Sequence, residues 1–225
     1  MEHTSLAMEC SRDILLIRHP QSLANIDRSI CRHVRDFDVE ISILGYAQTS
    51  QCVNFIKNSY FNNKRLHIYH SPFIRTKYLA DRLALSLSSP KKILISESRK
   101  IEELCFGAIK GLSMQEWAYT YPKNYSDYLT AKANNEKLSF CYPQGESLVD
   151  VYQRILEFKF QILDKESADT IIIVSHDIPL KILYMILCNK KLKQYFHIPE
   201  IPNVGVHHFT RKEGTYYHQG LIFQI

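Results

Sequence analysis

The run Asp13-Ile14-Leu15-Leu16-Ile17-Arg18-His19-Pro20 constrains this chain more than any other stretch. Ile14 to Ile17 is an unbroken apolar run, too short for a typical helix and built from isoleucine and leucine, so it reads as a buried strand. Pro20 lacks an N–H and disfavours helical geometry at His19. The strand is therefore expected to deliver Arg18 and His19 at its carboxyl edge, where open α/β sheets place their ligands. Arg18 brings a permanent charge shaped for phosphate. His19 brings a ring nitrogen that is neutral, and so nucleophilic, near neutral pH. Together they suggest phosphoryl chemistry at the imidazole. A charged loop just past a strand is the plainer reading, and on this stretch alone it is the stronger one.

Later segments alter that balance. Ile171-Ile172-Ile173-Val174-Ser175-His176 repeats the pattern, a buried strand ending on a histidine. Ser71-Pro72-Phe73-Ile74-Arg75 places an arginine one turn into a helix that follows a strand, where free N–H groups and the positive dipole end favour anions. Glu102-Glu103 precede Phe106-Gly107 on an irregular loop able to hold a carboxyl group beside a site.

Strands are expected at 13–18, 66–70, 93–95 and 170–175, with two late strands at 205–210 and 220–225. Helices are expected from Ser42 as N-cap to about Ser59, from Pro72 to about Ser86, from Gly145-Glu146-Ser147 onward with Leu148, Val151, Ile155, Phe158 and Ile162 on one face, and from Ile178 to Cys188. Helices alternating with short buried strands give an α/β fold. Residues 1–12 read as a flexible N-terminus and 13–225 as one domain, with a cap inserted at about 112–144 that carries helical signals at 114–120 and 125–133. Glu146 reads as a favourable carboxylate in a helix's first turn.

With 225 residues, 45% of them hydrophobic, the chain can bury a sizeable core. Its formal net charge of +5 is scattered, with no run of five like charges. That speaks against a nucleic-acid tail and is compatible with a small anionic substrate. No apolar run reaches transmembrane length, and residues 1–12 do not resemble a secretory signal, so no membrane partner is expected. The six cysteines (Cys10, Cys31, Cys52, Cys105, Cys141 and Cys188) form no C-x-x-C, and the ten histidines no credible H-x-x-x-H. Neither a metal site nor a disulfide framework is expected, and a cytoplasmic protein with reduced thiols is the default.

These segments together resemble the histidine phosphatase superfamily, also called phosphoglycerate-mutase-like. Arg18-His19-Pro20-Gln21-Ser22-Leu23-Ala24-Asn25 is similar to its R-H-G-E-S-x-x-N signature, and Ile41-Ser42-Ile43-Leu44-Gly45 to its L-T-x-x-G segment. Ser71-Pro72-Phe73-Ile74-Arg75 is similar to S-P-x-x-R, and Ile101-Glu102-Glu103-Leu104-Cys105-Phe106-Gly107, followed by Gly111, to L-x-E-x-x-F-G…G. Gln144-Gly145-Glu146-Ser147 with Arg154 is similar to G-G-E-S…R, and Val174-Ser175-His176 to V-S-H. The segments come in the family's order and cover about three quarters of the chain.

The resemblance implies a three-layer sandwich: a mostly parallel central sheet with helices on both faces and a small inserted cap. It implies a phosphomonoester hydrolase working through a phosphohistidine on a small phosphorylated metabolite such as a sugar phosphate, with no cofactor and no metal. His19 would be the nucleophile. Arg18, Arg75 and His176 would clamp the phosphate and stabilise charge during transfer, and Glu103 would act as acid, then base. Asn25 and Ser42 would donate hydrogen bonds to phosphate or substrate. Two residues depart from the pattern: Pro20 and Asp177 stand where glycine is usual. Pro20 removes a backbone donor, and an inward-pointing Asp177 would weaken anion binding. A cofactor-dependent mutase is the less favoured reading, because Gly111 to Gly145 contains lysines (Lys123, Lys132, Lys137) but no arginine. A weakly active or inactive phospho-ligand-binding protein is the other alternative. The cap aromatics Trp117, Tyr119, Tyr121, Tyr125 and Tyr128 are expected as the cap's own core before a substrate wall. Homodimer formation through a late edge strand is left open.

Overall fold

The computed structural model describes residues 11–59, 61, 64–87 and 93–225. The loose terminus expected at 1–12 lies outside them except for its last two residues, of which Arg12 already belongs to the first strand.

Six strands form one sheet: β1 (Arg12–Arg18), β2 (Leu66–His70), β3 (Ile93–Glu97), β4 (Thr170–Ser175), β5 (Val206–Lys212) and β6 (Thr215–Phe223), in the order β3-β2-β4-β1-β5-β6. The first four run parallel, and β5 and β6 complete the sheet as an antiparallel hairpin. The apolar runs of β1 and β4 are explained by their place at the centre, paired on both edges and covered on both faces. Alternate side chains go to opposite faces. Ile14, Leu16, Ile171 and Ile173 pack on one side against Val151, Ile155 and Phe158 of α6 (Leu148–Gln161) and Leu180 and Leu183 of α7 (Asp177–Leu187). Leu15, Ile17, Ile172 and Val174 pack on the other against Cys52, Val53 and Ile56 of α2 (Ile43–Lys57) and Leu79 and Leu83 of α3 (Ile74–Ser86). The result is the expected three-layer α/β sandwich.

Register positions the site. Arg18 lies opposite Ser175, and His70 opposite Val174, so β1, β2 and β4 end at one sheet edge. His19, Ser71 and His176 follow them there.

Four local expectations are corrected. The helix after β2 begins at Ile74, with Phe73 extended as its N-cap, because Ser71 and Thr76 bond across a bend instead of continuing the helix to Pro72. Among the cap helices, α4 (Met114–Thr120) falls where expected, but α5 (Pro122–Ala133) opens at Pro122, a first-turn position proline tolerates. Glu146 precedes the N-cap Ser147 and so lies outside α6. The last strand starts at Thr215, after a two-residue turn in which Glu213 and Gly214 both have positive φ (48° and 75°). Gly220 does not begin that strand but sits within it, beside a register shift against His208 and Phe209.

Candidate active site

At that sheet edge a cavity of about 200 Å³ is walled by Arg18, His19, Asn25, Arg75, Glu103 and Asp177, among others. His19 is buried, and its Nδ1 lies 2.7 Å from the Pro20 carbonyl oxygen. A carbonyl only accepts, so Nδ1 carries the hydrogen and the lone pair of neutral His19 is on Nε2. Burial first, then the charges of Arg75 and Arg18, hold the His19 pKa well below the usual histidine value. The main chain is tied on both sides, by the His19 N–H to the Ser175 carbonyl (2.9 Å) and by Asn203 Nδ2 to the His19 carbonyl (2.8 Å). Pro20, which costs the loop a donor, contributes the carbonyl that orients the His19 ring.

The two arginines reach the cavity from different elements. Arg18 Nη1 donates to the Ile201 carbonyl and to Glu200 Oε1, both at 2.6 Å. Arg75, in the first turn of α3, donates to the Asp36 carbonyl (2.7 Å) and pairs with its carboxylate (3.1 Å). Burial lowers the Arg75 pKa to about 10, which leaves it charged at neutral pH. The Nε atoms of both arginines are buried without a partner. His176, expected at the phosphate, lines neither cavity: it is fully buried, its ring centroid 5.1 Å from that of His19. Its Nε2 is 2.7 Å from Ser71 Oγ, and its Nδ1 is buried without a partner.

Glu103 lines this cavity and the larger one beside it, whereas Glu102 lines neither and faces Arg99 at 4.0 Å. Burial raises the Glu103 pKa, opposed by the Leu104 N–H bonded to its Oε1 (2.9 Å) and by Arg75. The loop is held by Arg154, which donates to the carbonyls of Lys100 (2.8 Å) and Glu103 (3.2 Å). Glu146 pairs with Arg154 Nε (2.8 Å) and also accepts from the Cys105 N–H (3.0 Å). It is therefore a clamp on the Glu103 loop, not the helix-end carboxylate expected. Gly107 has φ +55°, and a Cβ there would stand 2.0 Å from the Pro143 carbonyl, so only glycine lets the two loops meet.

Asn25 lines the cavity, and its Oδ1 accepts from the Ser22 N–H and hydroxyl, leaving its amide N–H groups to point elsewhere. Ser42 is corrected: it lines neither cavity. Its buried hydroxyl accepts from the Gly45 N–H (3.0 Å), capping α2, and donates to Gln21 Oε1 (2.8 Å). Asp177 does point inward, as its position beside His176 suggested. One carboxylate oxygen accepts from the Ile201 N–H (2.8 Å), and burial raises its pKa, opposed by that bond and by Arg18. Glu200, Asp36 and Lys110 also stand at the site without any sequence signal to mark them.

The adjoining cavity, about 320 Å³, is walled by Phe106, Lys110, Trp117, Tyr128 and Tyr142 and shares Arg75 and Glu103 with the first. Lys110 is paired with Asp36, and burial lowers its pKa to about 8. Trp117 packs against Tyr125, Tyr128 and Tyr142, so the cap's aromatic core is also a cavity wall, while Tyr119 is 90% exposed and outside it. Among the described residues no group of three or more His, Cys, Asp or Glu side chains is placed to hold a metal ion, and no helix is long and apolar enough to cross a membrane.

A mostly parallel sheet ending on two histidines, with Arg18 from β1, Arg75 from α3 and a buried carboxyl group beside one pocket, defines an α/β protein with a site shaped for an anion. The family model of the histidine phosphatase superfamily (branch 1) matches residues 14–221, and the chain belongs to that superfamily. It is 28% identical over 190 residues to a 6-phosphofructo-2-kinase/fructose-2,6-bisphosphatase of Arabidopsis thaliana, covering 84% of this chain and 23% of that protein. The chain thus spans about a quarter of that relative's length. It is 25% identical over 183 residues to phosphoserine phosphatase 1 of Hydrogenobacter thermophilus, covering 81% and 79%. An Escherichia coli structure described as an alpha-ribazole-5′-P phosphatase superposes with a TM-score of 0.76 at 18% identity, covering 93% of this chain and 95% of that one, a likeness of fold.

Proposed function

We propose that this protein hydrolyses phosphomonoesters through a phosphohistidine at His19. The observation that carries the reading is the His19–Pro20 bond, which leaves Nε2 bare in a pocket shared with Arg18, Arg75 and Glu103. His19 Nε2 attacks phosphorus while the bond to the leaving oxygen breaks, and protonated Glu103 gives that oxygen its proton. Arg18 and Arg75 meet the charge on the equatorial oxygens, so the step as written needs no metal. Glu103, now ionised, takes a proton from water, which attacks phosphorus, breaks the P–N bond and releases phosphate. Asn25 is placed to add a donor at the rim.

The larger cavity would hold the leaving alcohol. At about 320 Å³ with aromatic walls, it suits a sugar-sized or larger alcohol presenting an apolar face. The absence of arginine from Gly111 to Gly145 favours a hydrolase over a mutase. The widely spaced cysteines, free at all five described positions, support a reducing, cytoplasmic setting. The test is phosphate release from a panel of sugar phosphates, bisphosphates and phosphopeptides by wild type and His19→Ala. Turnover should fall roughly a thousand-fold or more in the variant, and ³²P should be trapped on wild type alone. Undiminished turnover in His19→Ala, or none by wild type across the panel, would overturn the reading.

A further inference from the structure

His176 is held by a chain of hydrogen bonds whose direction can be worked out. Thr76 Oγ1 lies 2.7 Å from the Ser71 carbonyl and 2.8 Å from the Phe73 carbonyl. Both oxygens can only accept, so the single Thr76 hydroxyl hydrogen goes to one of them. Were that hydrogen given to Ser71 Oγ, both close carbonyl contacts would set oxygen against oxygen with no proton between, so Ser71 Oγ, 2.9 Å from Thr76 Oγ1, donates to it. With its hydrogen committed, Ser71 Oγ can only accept from His176 Nε2 at 2.7 Å. Neutral His176 is therefore protonated on Nε2, and Nδ1 bears the lone pair. Nδ1 is the buried ring atom without a partner, and on the phosphatase reading it is the nitrogen that meets the phosphoryl group.

A bare nitrogen facing an anionic oxygen is repulsive, whereas a protonated one donates. Resting on the phosphatase reading, we infer that His176 is neutral in the free protein, locked as the Nε2–H tautomer by Ser71 and Thr76, and gains its second proton only together with the phosphoryl group. The balance is simple. A singly protonated phosphomonoester passes its P–OH proton to His176 Nδ1, giving the dianion and an imidazolium in contact; a dianionic ester requires one proton from solvent. Ser71 and Thr76 are then positioning residues, acting through His176.

The groups facing His176 agree with a neutral resting state. They are His19 from the end of β1, Arg75 and the ring of Phe73 from the start of α3, Lys110 from the loop before the cap, and Arg154 from α6. The carboxylates of Glu103 and Asp177 stand at the neighbouring pocket, and burial first, then Arg75, keeps the His176 pKa well below the usual value.

The test is ¹⁵N NMR of the His176 ring in the wild-type protein, assigned with His176→Ala, without and with inorganic phosphate. The free protein should show the neutral Nε2–H tautomer, and the phosphate complex an imidazolium. Calorimetry at pH 8 in buffers of different ionisation enthalpy should find nearly one more proton taken up per phosphate in wild type than in Thr76→Val, where Ser71 is released to donate to Nε2 and Nδ1 carries the hydrogen already. An Nδ1–H tautomer in the free protein, or a neutral ring in the complex, overturns the inference. Equal proton uptake by wild type and a folded Thr76→Val does the same. Should phosphate fail to bind at all, the phosphatase reading falls and takes the proton uptake with it, while the tautomer is still read from the free protein.

Discussion

His19 and Glu103 have pKa values displaced toward each other, and the direction of each follows from burial among fixed charges. His19 is pushed down, so its neutral form persists to lower pH than that of an ordinary imidazole. Glu103 is pushed up, so its acid form persists to higher pH than an ordinary carboxyl. kcat, which reports groups in the enzyme–substrate complex, should therefore fall as pH rises through the Glu103 pKa and fall again on the acid side as His19 protonates. In Glu103→Gln the alkaline limb should vanish, and kcat with an alcohol leaving group should drop by about 10²–10⁴. An unchanged alkaline limb would assign it to another group. The same residue scale explains Asp177: its inward carboxylate sits beside Arg18, but burial and the Ile201 N–H make it a hinge-pin between α7 and the 200–204 loop as much as a charge at the site.

At the scale of elements, the site is assembled from strand ends, which are rigid, and from one irregular loop, which is not. Ile14 to Ile17 and Thr170 to Val174 cannot shift without exposing the core, so His19 and His176 inherit the precision of the sheet. Glu103 has no such support and depends on Arg154 and Glu146. Removing that arginine leaves the carbonyls of Lys100 and Glu103 unanswered and the Glu146 carboxylate with the Cys105 N–H alone, a loss of about 1–3 kcal/mol. Arg154→Ala should lower kcat by about ten-fold or more through a misplaced Glu103, while inorganic phosphate inhibits with nearly unchanged affinity. A parallel loss of phosphate affinity would mean that the variant disturbs the anion pocket too. The strand ends were legible because an apolar run followed by Arg-His-Pro or Ser-His has one sensible placement. The Glu146–Arg154 clamp was read only in part, since an acid before an N-cap looks like any helix-end carboxylate until the loop it holds is seen.

For the whole molecule, the anion pocket joins β1, α3 and the 200–204 loop, so ligand binding should report on global stability. At a concentration one hundred times its dissociation constant, vanadate or phosphate should stabilise the fold by about 2.7 kcal/mol. For a chain of this size that raises Tm by about 5–10 °C. Arg75→Ala should lose most of the increase, and an equal shift in that variant would place the bound anion elsewhere. The edge strands fit the same scale: among the described residues β6 ends one side of the sheet and β3 the other, with no further strand paired to either.

What the sequence by itself determined was the sheet centre, the helices that cover it and the residues at its carboxyl edge, because periodicity, proline placement and capping are local and act wherever the chain goes. It also carried the choice of His19, Arg18, Arg75, His176 and Glu103 through the family resemblance. Only the tertiary structure decided the rest: that Ser42 caps α2 and does not face the pocket, that Pro20 orients the His19 ring, and that Glu200 and Asp36 sit on the two arginines. It also decided that Ser71 Oγ stands between Thr76 and His176, bonded to both. A hydrogen bond between residues distant in the chain has no local pattern to announce it. Its direction depends on which other acceptors stand nearby, and that is settled only when the strands have brought them together.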